Sequence, residues 1–413
     1  MHLSDVTETQ LKKCRQRLEA FSAEVLAPLG RSERRHWGGV YVRGLLLDGE
    51  RKSVGAMVPR LPDGNEQALQ QFVSQSPWPW EPVWERLAQK LTQTFATTAW
   101  IVDDTGFPKK GEHSVGVARQ YSGTLGKTAN CQMAVSLHAA SATGSSPLGF
   151  RLYLPQEWTD DPERLQKAGV PEGVSFQEKW RLALDLIDQA LGWSLTPPPV
   201  VLADAGYGEN GAFRQGLEDR RLPYAVGISS QVSVWTTPPE YGVPDWGGQG
   251  RPAKCVRYGE QRPVSVQEVA RGNQKRFRLA TWREGSQGPM RSRFWAGRVQ
   301  SAHKWSTGAA PGKAVWLLIE WPPEEAAPTK YYLCDLPASL SLRRLVASTR
   351  GRWRVEQDYQ QLKEELGLDH FEGRSWMGWH HHVTLVMLAH AFLRLEQKRR
   401  ASKSRVDATR NAA

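Results

Sequence analysis

The sequence predicts an α/β protein, and three observations carry that reading. Two short apolar runs rich in strand formers, Thr98 through Asp104 and Pro199 through Asp204, each end in an acid residue followed by turn signals. Between them Phe176, Trp180 and Ile187 recur on one helical face, behind the capping pattern Ser175-x-x-Glu178. At 413 residues the chain exceeds one ordinary domain, so two or three units are expected.

Residues 1–95 read as a helical region. Leu11, Leu18, Phe21 and Val25 make one apolar stripe, and Ala68, Phe72 and Val73 belong to a later one. The Pro- and Trp-rich tract Ser76–Trp84 forms a stiff connector into a helix around 82–95. Arg31, Arg34, Arg35, Arg43, Arg51 and Lys52 give this region a basic character, which suits either a DNA-binding face or a solvated surface.

From residue 96 the pattern turns α/β. Strands are expected at 97–104, 130–140 and 148–154, then a helix from 176, a strand at 199–204, a helix near 209–220 and a strand at 222–228. Three strands, helix, strand, helix, strand is the order of an RNase H-like core, here 96–235 in its first part. In such a core the first and fourth strands are neighbours, so Asp104 and Asp204 would meet. The interval from Asp204 to Glu356 is far longer than one connection needs. The excess marks a β-rich insertion, 236–335, starting at the Pro/Gly-rich tract 236–252 and closing with strands at 314–320 and 330–333. C-terminal helices and a basic tail (Arg394–Arg410) fill 336–413.

On a continuous α-helix Arg352, Glu356 and Lys363 share one face, beside an apolar stripe of Val355, Tyr359, Leu362 and Leu366. The plain reading is an amphipathic helix carrying an ion pair in water. Ligands of open α/β sheets bind beyond the carboxyl ends of strands. Two strand-end aspartates and one helical glutamate there would make the hard, all-oxygen site that Mg²⁺ prefers.

These three segments resemble the DDE-type transposases of bacterial insertion sequences. The nearest likeness is a cut-and-paste lineage whose third motif reads Tyr-x2-Arg-x3-Glu-x6-Lys. Arg352, Glu356 and Lys363 fall on its last three positions, while Thr349 stands where the tyrosine is usual. The first motif is an Asp-Thr at a strand end, which selects Asp104 over Asp103, and the second falls on Asp204. The resemblance spans roughly residues 96–380. It implies that Asp104 bridges two Mg²⁺ ions (Mn²⁺ substituting), with Asp204 and Glu356 each holding one. It implies that Arg352 and Lys363 grip phosphates. The expected partners are double-stranded DNA with terminal inverted repeats, target DNA and a second copy of the chain in the DNA complex. Water would free a 3′-OH, which would attack the opposite strand to give a hairpin, or target DNA.

The stretch 271–304 is the most basic of the chain, and Arg276, Arg278, Arg291 and Arg293 alternate there with aromatics including Trp282 and Trp295. Cations neutralise phosphates and ring faces stack on exposed bases. In the resembled enzymes an insertion here helps hold the DNA end, including a flipped base. Trp282 and Trp295 are candidates for that stacking, or fill a small β core. Lys109 and Lys110 reach DNA near the metals or lie on a solvated turn. His380, His381 and His382 point about 100° apart on a helix, so they suit packing or a phosphate contact rather than one metal ion.

Composition fits a polyanionic partner: Lys plus Arg outnumber Asp plus Glu by 54 to 43, a net +11. Cys14, Cys131, Cys255 and Cys334 form no zinc spacing and read as reduced thiols. The start, Met1–Asp5, lacks a signal-peptide pattern, and the apolar run Val383–Leu393 is too short for a bilayer. A cytoplasmic, nucleoid-associated bacterial protein is expected. A haloacid-dehalogenase phosphatase would need its two aspartates two residues apart, whereas Asp103 and Asp104 are adjacent. A domesticated DNA-binding protein, or an RNase H-like nuclease without strand transfer, remains the alternative.

Overall fold

The computed structural model describes residues 7–123, 126–251, 253–285 and 288–411. Met1–Asp5 and Pro252 lie outside these, as do the side chains of the basic tail beyond residue 402. The chain divides into two compact units. Unit 1 contains Met1–Thr98, Val102–Pro197 and Arg354–Ala413; unit 2 contains Ala99–Ile101 and Pro198–Trp353.

Unit 1 opens with helices α1 (Glu8–Val25), α2 (Ser32–Leu46), α3 (Glu66–Ser74) and α4 (Glu81–Thr94). Thr7 and Gln10 close a reciprocal capping box at the start of α1. Leu18, Phe21 and Val25 turn inward as the period predicts, but Leu11 stays 59% exposed in the first turns. Strands β1 (Thr97–Pro108), β2 (Ala118–Ser122), β3 (Lys127–Ser141) and β4 (Gly144–Tyr153) follow. In the sheet β3 lies beside β1 and pairs antiparallel with β2 and β4. The helical region has no core of its own. Tyr41, Trp78 and Trp84 share one apolar cluster with Phe150 of β4 and with Val386 and Leu388 of the long C-terminal helix.

Helix α5 (Lys179–Gly192) begins later than the capping pattern suggests. The backbone at Glu178 is still extended, and the Glu178 carboxylate accepts the indole N–H of Trp180 instead of closing a box with Ser175. Near the C-terminus, α8 (Trp353–Gln360) runs into a five-residue π-helical turn (Gln361–Glu365), and α9 (Trp376–Asn411) completes the chain. The single α-helix expected over 352–366 is therefore not formed. Asp358 joins Val355, Leu362 and Leu366 among the buried positions, and the widened turn keeps the two leucines inside. Arg352 precedes the first helical residue, so the face drawn through 352, 356 and 363 is not one continuous helical face.

Unit 2 contains β5 (Val201–Ala203), α6 (Gly211–Asp219), β6 (Tyr224–Ile228) and β7 (Ser233–Trp235). It continues with β8 (Arg278–Gly285), β9 (Gly288–Ser301), β10 (Ala314–Glu320), β11 (Lys330–Asp335) and α7 (Leu342–Thr349). Residues 99–101 of β1 belong here: Trp100 and Ile101 pair in parallel with Val201 and Leu202, and β5 pairs in parallel with β6. Strands β11, β10 and β9 then extend the sheet antiparallel from β6, with β8 folded back on β9. The residues read as an insertion thus lengthen a mixed sheet. The parallel pairing of β1 with β5 is that of the first and fourth strands in an RNase H-like order.

Among the described residues no helix is long and apolar enough to cross a membrane. All four cysteines are free.

Candidate active site

Strand β1 is buried on both faces from Ala99 to Asp103 and again from Thr105 to Phe107, with Asp104 half-buried between them. Asp103 is 8% exposed, and its carboxylate accepts the backbone N–H of Asp104 at 2.9 Å. Asp104 is only partly buried and meets the Lys179 ammonium at 2.6 Å. Two residues on, the carbonyl of Gly106 accepts the Lys363 ammonium at 2.8 Å. Burial holds that lysine below its usual pKa, with Asp369 pulling the other way. Lys363 therefore reaches the first acid's strand through the π-turn, an observation the sequence spacing did not supply.

The helix that carries Glu356 has two unlike sides. Glu356 is exposed, whereas Asp358, two residues later, is buried at 4% exposure. Its carboxylate takes His138 Nδ1 at 2.8 Å, with His390 Nε2 at 3.8 Å. His138 Nε2 lies 3.0 Å from Ser136 Oγ, which shares a 2.6 Å hydrogen bond with the Tyr359 hydroxyl. A register shift between Leu137 and His138 aims this histidine, as β-bulges do. Burial pushes the Asp358 carboxyl up, but the His138 hydrogen bond and the charges of both histidines outweigh it, and the net shift is downward. For Tyr359, burial and then the nearby Asp103 raise the phenol well above its ordinary range. None of this network was legible in the sequence, because its members lie on β3, α8 and α9.

In unit 2, Asp204 follows β5 directly and caps the short turn Ala205–Gly208, accepting Tyr207 N–H at 3.4 Å. The Gly-rich pattern after this aspartate has a steric cause. A Cβ on Gly208 would fall 1.9 Å from the Gly227 carbonyl oxygen, so only glycine lets the turn lie this close to β6. Arg352 lies in the turn after α7. Two residues earlier, Arg350 pairs with Glu320 at 2.7 Å and covers the Trp282 ring at 4.0 Å.

That contact divides the two tryptophans proposed for stacking. Trp282 already has Arg350 on its ring and Phe294 edge-on at 5.7 Å, a packing role. Trp295 lines a groove of about 440 Å³ with Lys275, Arg276, Arg278, Trp316 and Leu342. A Cβ at Gly297 would lie 2.4 Å from the Trp295 ring, so glycine two residues along the strand lets the indole lie flat. Arg276, Arg278 and Arg291 are exposed. Arg293 is instead half-buried and donates to the Trp321 and Pro322 carbonyls, at 3.3 Å each.

Several other cations also turn inward. The Lys109 ammonium donates to the Phe371 carbonyl at 2.7 Å, and burial lowers its pKa; Lys110 is exposed. In the N-terminal region Lys52 is 3% exposed, Arg43 pairs with Asp63 and Arg51 with Glu372. Arg31 and Arg34 remain beside Trp37 around a cavity of about 220 Å³. The three histidines at 380–382 are packing residues. His380 bonds the Trp376 carbonyl, His381 the Val73 and Trp78 carbonyls, and His382 the Tyr41 hydroxyl and the Gly367 carbonyl.

Among the described residues no three His, Cys, Asp or Glu side chains stand close enough together to hold a metal ion. The donor chemistry nonetheless fits Mg²⁺. The candidate ligands are carboxylates alone, and the Asp104 carboxylate already holds a cation, the Lys179 ammonium.

A sequence model of the DDE superfamily endonucleases matches residues 24–289, and the chain belongs to that family. The matched residues include Asp104 and Asp204, while Arg352, Glu356 and Lys363 lie beyond them. A probable transposase for insertion sequence element IS701 from Microchaete diplosiphon is 32% identical over 203 residues. That stretch covers 48% of this chain and 50% of the relative, so the chain spans about half the length of the curated protein it matches.

Proposed function

We propose that the chain is the transposase of an insertion sequence, cutting DNA at the inverted-repeat ends of its element and joining the freed 3′-OH ends to target DNA. The observation that carries this reading is the parallel pairing of β1 with β5: Asp104 lies within β1, three residues beyond the paired Ile101, and Asp204 directly follows β5. Asp104, Asp204 and Glu356 would hold two Mg²⁺ ions, with Mn²⁺ able to substitute. Such ions supply an activated nucleophile, an oriented leaving group and neutralised charge at the phosphate.

The chain's own residues do the positioning. Lys363 would face the scissile phosphate as a point charge, and Arg352 as a planar fork that can bond two oxygens at once. Lys110, Arg276, Arg278 and Arg291 are exposed cations suited to the DNA backbone. Trp295, in its basic groove, is the better candidate for stacking on an unpaired base. Arg31 and Arg34 would let the N-terminal helices contact DNA. Pairing two DNA ends calls for two copies of the chain, acting on cytoplasmic DNA.

The test is a plasmid carrying this gene with its native flanks, incubated with the purified protein and Mg²⁺ or EDTA, with DNA ends mapped. Metal-dependent double-strand breaks at a pair of inverted repeats, lost in Asp204→Asn and Glu356→Gln, are expected. Flank binding without cleavage would point to a DNA-binding protein, and scattered nicks to a nuclease. Cleavage that survives Glu356→Gln would refute the site assignment.

A further inference from the structure

Lys179 opens α5 at its first helical position, and the first turn of that helix contains no acid. This is the wrong end for a cation. The unpaired N–H groups of a first turn carry partial positive charge, which opposes a lysine ammonium there. A lysine so placed needs a compensating partner, and it has one. Its ammonium lies 2.6 Å from Asp104 Oδ2, with both side chains about one-third exposed. It also lies 5.7 Å from the centre of the Tyr153 ring. The other ammonium near this strand, that of Lys363, is committed to the Gly106 carbonyl.

We infer that Lys179 is a positioning residue that occupies the Asp104 carboxylate as a resident counter-ion, and that a divalent ion must displace it to bind there. The inference rests on Asp104 being a metal ligand. A carboxylate oxygen held at hydrogen-bond distance by an ammonium is fixed in orientation but is denied to a second cation. The two cations therefore compete for one anion, and the affinity of the ion is reduced by the strength of the lysine contact. The partial exposure of both partners keeps that contact weak enough to exchange. Displacement leaves the ammonium on a flexible stem beside the acid, where a DNA phosphate can take it. Charge near the acid is then balanced before DNA arrives and remains balanced afterwards.

The experiment measures metal binding rather than cleavage. Purified full-length chain is titrated with Mn²⁺ at fixed pH and salt, and free Mn²⁺ is read by its electron paramagnetic resonance signal. Wild type, Lys179→Met, Lys179→Arg and Asp104→Asn are compared, each checked for folding by thermal melting. Lys179→Met should bind Mn²⁺ at least several-fold more tightly than wild type, Lys179→Arg should stay near wild type, and Asp104→Asn should lose the site. Removing a merely structural lysine would not tighten metal binding. If Asp104→Asn loses the site while Lys179→Met binds no more tightly than wild type, the lysine inference is overturned and the acid site stands. Should Asp104→Asn bind as wild type does, both fall.

Discussion

The two sides of helix α8 treat a carboxylate in opposite ways. On the inner side Asp358 is sealed among His138, His390, Ser136 and Tyr359, with its carboxylate hydrogen-bonded to the His138 ring from β3 and approached by His390 from α9. On the outer side Glu356 faces solvent. A buried carboxylate is tolerated only with partners, and removing one of them leaves an uncompensated group. An exposed carboxylate usually contributes less to folding than a buried one. The two acids are two residues apart on one helix, yet one serves the fold and the other the proposed site.

The contrast breaks most visibly in stability. Replacing His138 with Ala should destabilise the chain by roughly 3–5 kcal/mol, because it strands the buried Asp358 charge. Glu356→Ala should stay within about 0.5 kcal/mol of wild type, as exposed positions usually do. Urea unfolding of both variants measures the difference. Equal losses would show that the exposed acid is as structural as the buried one, and would remove the distinction.

Acid should act first on the buried histidines, of which His390 lies beside Asp358 and the other three on α9 pack elsewhere. Burial depresses His380 to about 3, and His381, His382 and His390 to about 4, each below the ordinary histidine value of 6.5. The unfolded chain binds these protons more readily, so stability is lost as pH falls below about 6.5. The loss grows until the folded values near 3–4 are reached. Each histidine contributes about 1.4 kcal/mol per pH unit in that window. The unfolding midpoint should thus fall steeply between pH 6.5 and 5, with an uptake of up to about four protons. A flat profile there would mean that these histidines are already charged in the folded chain.

Much of the fold was legible because apolar runs and turn glycines are local signals. Asp204 follows its strand as the sequence suggests, and the turn glycine at 208 has a steric reason. Asp104 does not end its strand: β1 runs on to Pro108, since Thr105, Gly106 and Phe107 continue the buried extended run past the acids. Burial of cations was not legible. Lys109, Lys52 and Arg293 look like surface charge in the sequence, yet backbone carbonyls hold each of them, that of Phe371 for Lys109, of Leu47 for Lys52 and of Trp321 for Arg293. The Asp358 cluster was hidden as well, since its partner His138 comes from a strand 220 residues away. Lys179 escaped notice because its partner lies 75 residues away, where no periodicity can point. The π-turn defeated the helical wheel, since one extra residue per turn shifts every position beyond it.

Sheet residues of unit 2 offer the finer test, because Trp282 and Trp295 look alike in sequence and differ in what covers them. Arg350 sits on the Trp282 ring, whereas Trp295 lines an open groove among cations. Trp282→Ala should weaken folding by about 1–2 kcal/mol through the lost guanidinium contact, with DNA affinity changed only in step with stability. Trp295→Ala should instead leave the unfolding midpoint nearly unchanged and weaken binding to a duplex with an unpaired base by about 1–3 kcal/mol. A fully paired duplex of the same sequence should show a smaller loss, because its bases offer no free face. If Trp295→Ala weakens both duplexes equally, the groove reads backbone charge alone. The stacking role then passes to no residue identified on this sheet.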